Sequence, residues 1–255
     1  MIFDTHAHYD HGKFKDDRRA RLLALYSEGV SNIINIGSSM DSSKRSYRLA
    51  EEYDFIYATV GVHPHEAKTL TDNKLHELEK LAKHKKVIAI GEIGLDYHYN
   101  HSAQDIQIYW FKQQLALAER LNMPVVIHSR ESDNDVFEII KDSNTRSGVI
   151  HSFSGDAYLA LEYIHLGFYI GIGGVITFDK TGRLQDVVQK IPIESILLET
   201  DAPYLTPAPY RGERNESPYL IYVAEKIAQI KKISKEKVIN TTYENAKKFV
   251  LIKDI

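Results

Sequence analysis

Two histidines separated by one residue, His6 and His8, follow the apolar start of this 255-residue chain. In an extended segment, residues two apart point to the same side, so both imidazoles can face one metal ion. The alternative is a pair of ordinary surface histidines, since His11 follows closely. Glu92 stands alone among apolar residues in the stretch 87–95. A carboxylate is costly to bury unpaired, so Glu92 needs a cation, either a metal or a nearby Arg. Asp96 and Tyr97 follow it as weaker candidates. His128 ends one β-branched run and His151 ends another. Each alone reads as a satisfied core histidine, but two at corresponding ends of successive runs read as ligands. Asp201 closes the run 196–201, where a helix cap or loop Asp is the alternative.

Imidazole and carboxylate donors suit Zn, Mn, Mg or Co, and six of them are enough for two divalent ions. Glu92 has two oxygens and can bridge both. His6 and His8 then complete one shell, and His128 and His151 the other. Two ions about 3.5–4 Å apart can hold the attacking and leaving oxygens of a displacement at phosphorus and acidify a water. Asp201, as a ligand of the first ion, can take that water's proton as general base. The chain has no cysteine and no GxSxG elbow, so no competing nucleophile is visible. Three neighbours read as substrate contacts. His63 ends the third apolar run, and Arg130 and Arg211 can each fork onto a phosphate. For the arginines, a salt bridge to Glu131 or Glu213 is the equal alternative.

These residues need a scaffold that brings many strand ends to one rim. Short apolar runs at 2–5, 32–36, 56–60, 87–93, 124–128, 148–151, 169–172 and 196–199 alternate with amphipathic stretches at 17–28, 42–53, 72–83, 104–122, 133–141, 157–165 and 181–190. Nearly all-apolar strands suit a parallel sheet buried on both faces. Eight β-then-α units predict an α/β fold, a (β/α)8 TIM-type barrel, whose chemistry sits at the C-terminal ends of the strands. A doubly wound open sheet is the alternative, and no GxGxxG follows the first strand to support it. A Pro-rich loop follows the eighth strand, then helical patterns at 218–230 and 235–249. No linker, repeat or low-complexity segment interrupts residues 1–255, so one domain is expected.

Composition narrows the class. Apolar residues make up 43% of the chain, enough for a sizeable core. No stretch approaches the roughly 20 apolar residues of a membrane span, and the N-terminus lacks a basic n-region. A cytoplasmic enzyme without an obligate protein partner is expected. The net charge of −3 shows no basic excess of the kind that coats a duplex. A nucleic-acid enzyme then requires metal ions, rather than a lysine field, to meet the phosphate.

Six segments carry a resemblance. They are Phe3-Asp4-Thr5-His6-Ala7-His8, Gly61-Val62-His63-Pro64-His65, the stretch from Gly91 to Tyr97, His128-Ser129-Arg130, His151-Ser152-Phe153-Ser154-Gly155, and the stretch from Glu199 to Leu205. They resemble the TatD family of metal-dependent deoxyribonucleases, within the amidohydrolase-like barrels. The resemblance runs from Phe3 to about Phe249. It implies a TIM-type barrel and a divalent-metal site of His6, His8, Glu92, His128, His151 and Asp201. The implied activity is phosphodiester hydrolysis in DNA, often as a 3′–5′ exonuclease on single-stranded or damaged ends. Some relatives act on other esters, including aminoacyl-tRNA. Glu213 stands where the family pattern leads one to expect Lys, which removes positive charge beside the site. Ser132-Asp133 replaces the usual small residue after Arg130-Glu131.

Two rivals differ in class. An amidohydrolase of the same barrel type would act on a lactone, amide or phosphotriester. Many of these bridge their metals with a carboxylated Lys on the fourth strand, and residues 87–95 contain no Lys. A metal-binding scaffold acting by protein contact would bind metal without turnover.

Overall fold

The computed structural model describes residues 1–251. Its strands are β1 (Ile2–Ala7), β2 (Val30–Asn35), β3 (Ile56–Val60), β4 (Val87–Asp96), β5 (Val125–Arg130), β6 (Gly148–Ile150), β7 (Phe168–Ile172) and β8 (Ile196–Leu198). They form one eight-stranded sheet in the order β1 to β8, each strand parallel to the next. Between them run α1 (Arg18–Ala24), α2 (Met40–Glu52), α3 (Asp72–Ala82), α4 (Gln104–Leu121), α5 (Asp133–Asp142), α6 (Ala157–His165) and α7 (Arg183–Lys190). Two helices, α8 (Leu220–Lys231) and α9 (Lys235–Leu251), follow β8. The expected (β/α)8 TIM-type barrel is the observed fold.

The ring closes where β1 meets the end of β8. The Asp201 N–H donates to the His6 carbonyl at 2.8 Å, and the His8 N–H donates to the Ala202 carbonyl at 2.8 Å. Asp201 itself has φ +57°, a left-handed conformation that Asp tolerates better than most residues. Closure therefore fixes His6, His8 and Asp201 together.

The two ends of the barrel differ in chemistry. Phe3, Ile88, Val126, Val149 and Leu197 are each the second residue of their strand. They join one apolar cluster with Ala246 and Phe249 of α9, and Tyr57 and Tyr169 pack against it. The last helix thus seals the N-terminal end of the barrel with side chains. The polar residues are left to the opposite end.

Three strands run further than their apolar residues suggest. β1 reaches Ala7, β4 reaches Asp96 and β5 reaches Arg130. Backbone pairing continues past the change in side-chain polarity, with Gly94 opposite His128 and Asp96 opposite Arg130. A ladder depends on N–H and C=O groups, which polar side chains do not remove. A Cβ at Gly94, whose φ is +140°, would collide with the His128 carbonyl, so glycine is required beside that histidine. α1 stops at Ala24, short of the expected residue 28, where the Ser27 hydroxyl takes the Ala24 carbonyl.

α4 holds the site's loops through two buried glutamines seven residues apart. The Gln114 amide accepts from the Val62 N–H at 2.8 Å and donates to the Val62 carbonyl at 3.0 Å. Gln107 does the same for Asp96, at 2.8 and 3.1 Å. Each side chain imitates a neighbouring strand for one residue. Gln114→Leu should therefore strand two buried backbone groups and cost roughly 2 kcal/mol. Urea unfolding should show a lower midpoint at unchanged slope, and an unshifted midpoint would contradict the pairing.

Candidate metal centre

The centre is built around Glu92, which is 4% exposed. Its two oxygens face different histidine pairs. Oε2 lies 3.6 Å from His6 Nε2 and 3.9 Å from His8 Nε2. Oε1 lies 3.1 Å from His128 Nδ1 and 3.6 Å from His63 Nε2. No Arg meets it among the described residues, so the cation that the sequence demanded is not a guanidinium.

Around this carboxylate the ring nitrogens converge. His6 Nε2 and His8 Nε2 stand 3.3 Å apart, as expected for residues two apart on one strand. His8 Nδ1 sits 3.1 Å from the Ile36 carbonyl, which can only accept, so Nδ1 carries the proton. In the neutral ring Nε2 is then a free lone pair. The His6 and His151 rings stack at 3.4 Å between centroids. Asp201 Oδ1 lies 3.3 Å from His8 Nε2, 3.8 Å from His6 Nε2 and 3.9 Å from His151 Nε2. Its side chain is 19% exposed, against 5% for Glu92.

The side chains thus group in the expected way on one side only. His6 and His8 share Glu92 Oε2, as anticipated. On the other side His63 joins His128 at Oε1, while His151 stands with His6 and Asp201. Within groups whose donor atoms all lie within 4.8 Å of one another fall His6, His8 and Glu92; His63, Glu92 and His128; and His6, His151 and Glu199. His63, expected as a substrate contact, is therefore also placed to be a ligand.

Three residues gain a role, of which the sequence singled out only Asp96, as a weaker candidate. Asp96 Oδ2 is 3.1 Å from His128 Nε2 and 2.9 Å from His65 Nε2, so it fixes the His128 ring from behind. Glu199 Oε2 is 3.0 Å from His151 Nδ1, and Glu199 Oε1 accepts from the Ser152 N–H. Asp4 accepts from the N–H groups of His6 and Thr200 and from the hydroxyls of Thr200 and Ser217. It ties the ligand strand to the Asp201 turn. The missed signal is the one that exposed Glu92, a carboxylate inside or just past an apolar run. His65, two residues after His63, lay in the quoted motif without a partner.

The charges follow from burial set against these contacts. Burial opposes charge on Glu92, but His63, His128 and His6 outweigh it and hold the carboxyl well below its usual range. Burial, then the charge of His151, depresses His6 well below 6.5. Burial opposes charge on His8 too, yet the hydrogen bond and charge of Asp201 push it up to about 9. For His151, Glu199 overcomes burial and raises the ring to about 10. His128 is raised by its bonds to Asp96 and Glu92 against the cost of burial.

Above the centre opens a cavity of about 740 Å³. Arg130 lines it, with its guanidinium carbon 4.7 Å above the Tyr99 ring. The alternative salt bridge to Glu131 is absent, because Glu131 pairs with His98. Arg211 does not line this cavity. Its guanidinium lies 3.7 Å from the Phe178 ring centroid and donates to the Thr206 carbonyl. Arg211, expected as a phosphate contact, is thus placed against an aromatic ring and outside the cavity lining.

This barrel, with a rim of histidines around a shared carboxylate, has the form of a metal-dependent hydrolase. The sequence matches the family described as TatD related DNase over residues 3–250. The uncharacterized metal-dependent hydrolase YabD of Bacillus subtilis is 41% identical over 99% of this chain and 100% of its own length. The 3′-5′ ssDNA/RNA exonuclease TatD of Pantoea ananatis is 33% identical over 97% of this chain and 98% of its own. The crystal structure of the Escherichia coli TatD homolog YjjV superposes with a TM-score of 0.90 at 32% identity, covering 96% and 95%. The chain belongs to the TatD family of metal-dependent hydrolases. No helix among the described residues is long and apolar enough to cross a membrane.

The donor set fits divalent ions that take nitrogen and oxygen ligands. Two of its rings, His8 and His151, hold protons at pH 7 when metal-free, because both are raised. A metal must displace those protons. Affinity should then rise with pH through neutrality toward the raised values. Metal titrations in two buffers of different ionisation enthalpy should show proton release at pH 7. Affinity that is flat between pH 6 and 8 would contradict these charges.

Proposed function

We propose that this chain hydrolyses phosphodiester bonds at the 3′ end of single-stranded DNA or RNA, using two divalent ions. The observation that carries this reading is Glu92, whose two oxygens face two separate histidine pairs at 3.1–3.9 Å. His6, His8 and Asp201 would hold one ion. His128 and His63, the pair at the other Glu92 oxygen, would hold the second, with Glu92 common to both and His151 beside His6 and Asp201. His128 would bind through Nδ1, since Asp96 occupies its Nε2. Two such ions supply concentrated positive charge that polarises a phosphoryl oxygen and acidifies a water.

The protein's own groups do the rest. Asp201 is the carboxylate of the cluster most open to the cavity, so it takes the attacking water's proton. Asp96 and Glu199 hold the His128 and His151 rings in one orientation, as carboxylates behind metal-binding histidines do. Arg130 faces the cavity and meets the phosphate. The relatives named as single-strand exonucleases support the substrate class and the 3′–5′ direction. A lactone or aminoacyl ester is the second reading, favoured only by the shared barrel and by the lack of a net basic charge.

The test uses 5′-labelled and 3′-labelled single-stranded DNA with Mg, Mn, Zn or Co, beside a lactone panel. The 5′-labelled strand should shorten stepwise from its 3′ end. Asp201→Asn, chosen because Asn also tolerates a left-handed φ, should lose about 10²- to 10⁴-fold in rate while staying folded. Turnover of lactones alone, or an active Asp201→Asn variant, would overturn the assignment. Glu92→Ala should no longer bind two equivalents of metal, and unchanged content by metal analysis would remove its bridging role.

A further inference from the structure

We infer that Tyr99 and Tyr204 are nucleobase-stacking platforms on opposite sides of the metal centre, which makes a strand with unpaired bases the substrate. This rests on the nuclease reading above. Both tyrosines line the cavity. Tyr99 follows β4 and Tyr204 follows β8, which stand four places apart in a ring of eight. Their loops therefore face each other across the mouth, with Glu92 and Asp201 between.

Both rings are large and about half exposed, at 51% and 43%, and the Tyr99 ring runs parallel to that of His101 at 5.6 Å between centroids, so a base would extend that stack. Both are also braced against the catalytic groups. The Tyr99 N–H donates to Asp96 Oδ1 at 2.9 Å, and the other oxygen of Asp96 holds His128. His65 meets the Tyr99 ring edge-on at 5.4 Å. The Tyr204 N–H donates to the Asp201 carbonyl at 2.7 Å, and its hydroxyl lies 3.2 Å from His11 Nε2.

Each ring also carries a cation. Arg130 lies over Tyr99, and Lys13 Nζ lies 5.2 Å from the Tyr204 centroid. Neither cation has a carboxylate partner among the described residues, so both are available to a phosphate. Tyr109 and Tyr158 are also exposed, but they sit on α4 and α6, away from the cavity. No cation covers them among the described residues. Among the described residues, the pairing of a strongly exposed ring with a cation that lacks a carboxylate partner is thus found at the mouth.

An aromatic ring stacks on any base, and an adjacent cation meets the backbone, which is how sequence-tolerant single-strand sites work. A strand laid across the mouth would seat one base on each ring and the scissile phosphate over Glu92. A paired base cannot comply, because stacking on the platforms pulls it out of its duplex.

The test is steady-state cleavage of a 5′-labelled oligothymidylate and of the same oligomer with abasic residues at its last two positions. Wild-type KM should be about ten-fold higher on the abasic oligomer. Tyr99→Ala and Tyr204→Ala should each raise KM about ten-fold on the intact oligomer and add little on the abasic one. Tyr99→Phe and Tyr204→Phe should restore the wild-type KM, and bound metal should match wild type in all four variants. Equal KM increases on both oligomers, or no increase on either, would overturn the platforms while leaving the nuclease intact. A wild-type enzyme that cleaves neither oligomer with any of the four metals would remove the nuclease reading itself, and the platforms with it.

Discussion

One buried carboxylate governs this barrel. Glu92 is almost wholly out of water, and a charge in that position is tolerated only with compensating partners. The fold supplies imidazoles from β1 and β5, from just past β3, and from just past β1. No single helix or hairpin could deliver those groups to one point. A closed ring of parallel strands can, because every strand ends at the same rim. The site thus needs the barrel closed, and the closing hydrogen bonds run through His6, His8 and Asp201 themselves. Stability and chemistry share those residues.

A second layer of polar groups makes the first one specific. Without Asp96 and Glu199, the rings of His128 and His151 could rotate or change tautomer. Without the Ile36 carbonyl, His8 would have no fixed proton. Asp4 works one step further back and fixes backbone rather than rings, joining β1 to the turn that presents Asp201. Burial pushes the Asp4 carboxyl up to about 6 even though four hydrogen bonds pull it down. Such a residue is kept for the position it enforces, since burial of its charge opposes stability.

Much of this was legible in the sequence, for a definite reason. A strand buried on both faces has no alternative to apolar side chains, so the eight runs stood out, and any polar residue ending one stood out against them. His6, His8, Glu92, His128, His151 and Asp201 were read that way, and the structure brings all six to one rim. Glu199, Asp96 and Asp4 were less legible because their partners lie on other strands. Asp4 meets Thr200 and Ser217 only after the ring closes, across 196 and 213 residues. Arg211 lies away from the cavity for the opposite reason. It lies on a loop, where no periodicity sets side-chain direction, and the nearest ring, Phe178, captures it.

The charge balance then explains how an acidic chain can meet a polyanion. A net charge of −3 gives no long-range attraction to nucleic acid. The positive character is local instead. Most arginines are spent on structure, as Arg214 is on Asp17 and Glu216, and Arg45 on Asp10. Arg130 and Lys13 are left unpaired, and both stand at the mouth over aromatic rings. On the proposed reading, the rest of the positive charge would come from ions in the centre, and attraction would exist only where they are bound. Binding of that kind would discriminate by what enters the mouth, so the proposed substrate is a strand end with loose bases and not a continuous duplex.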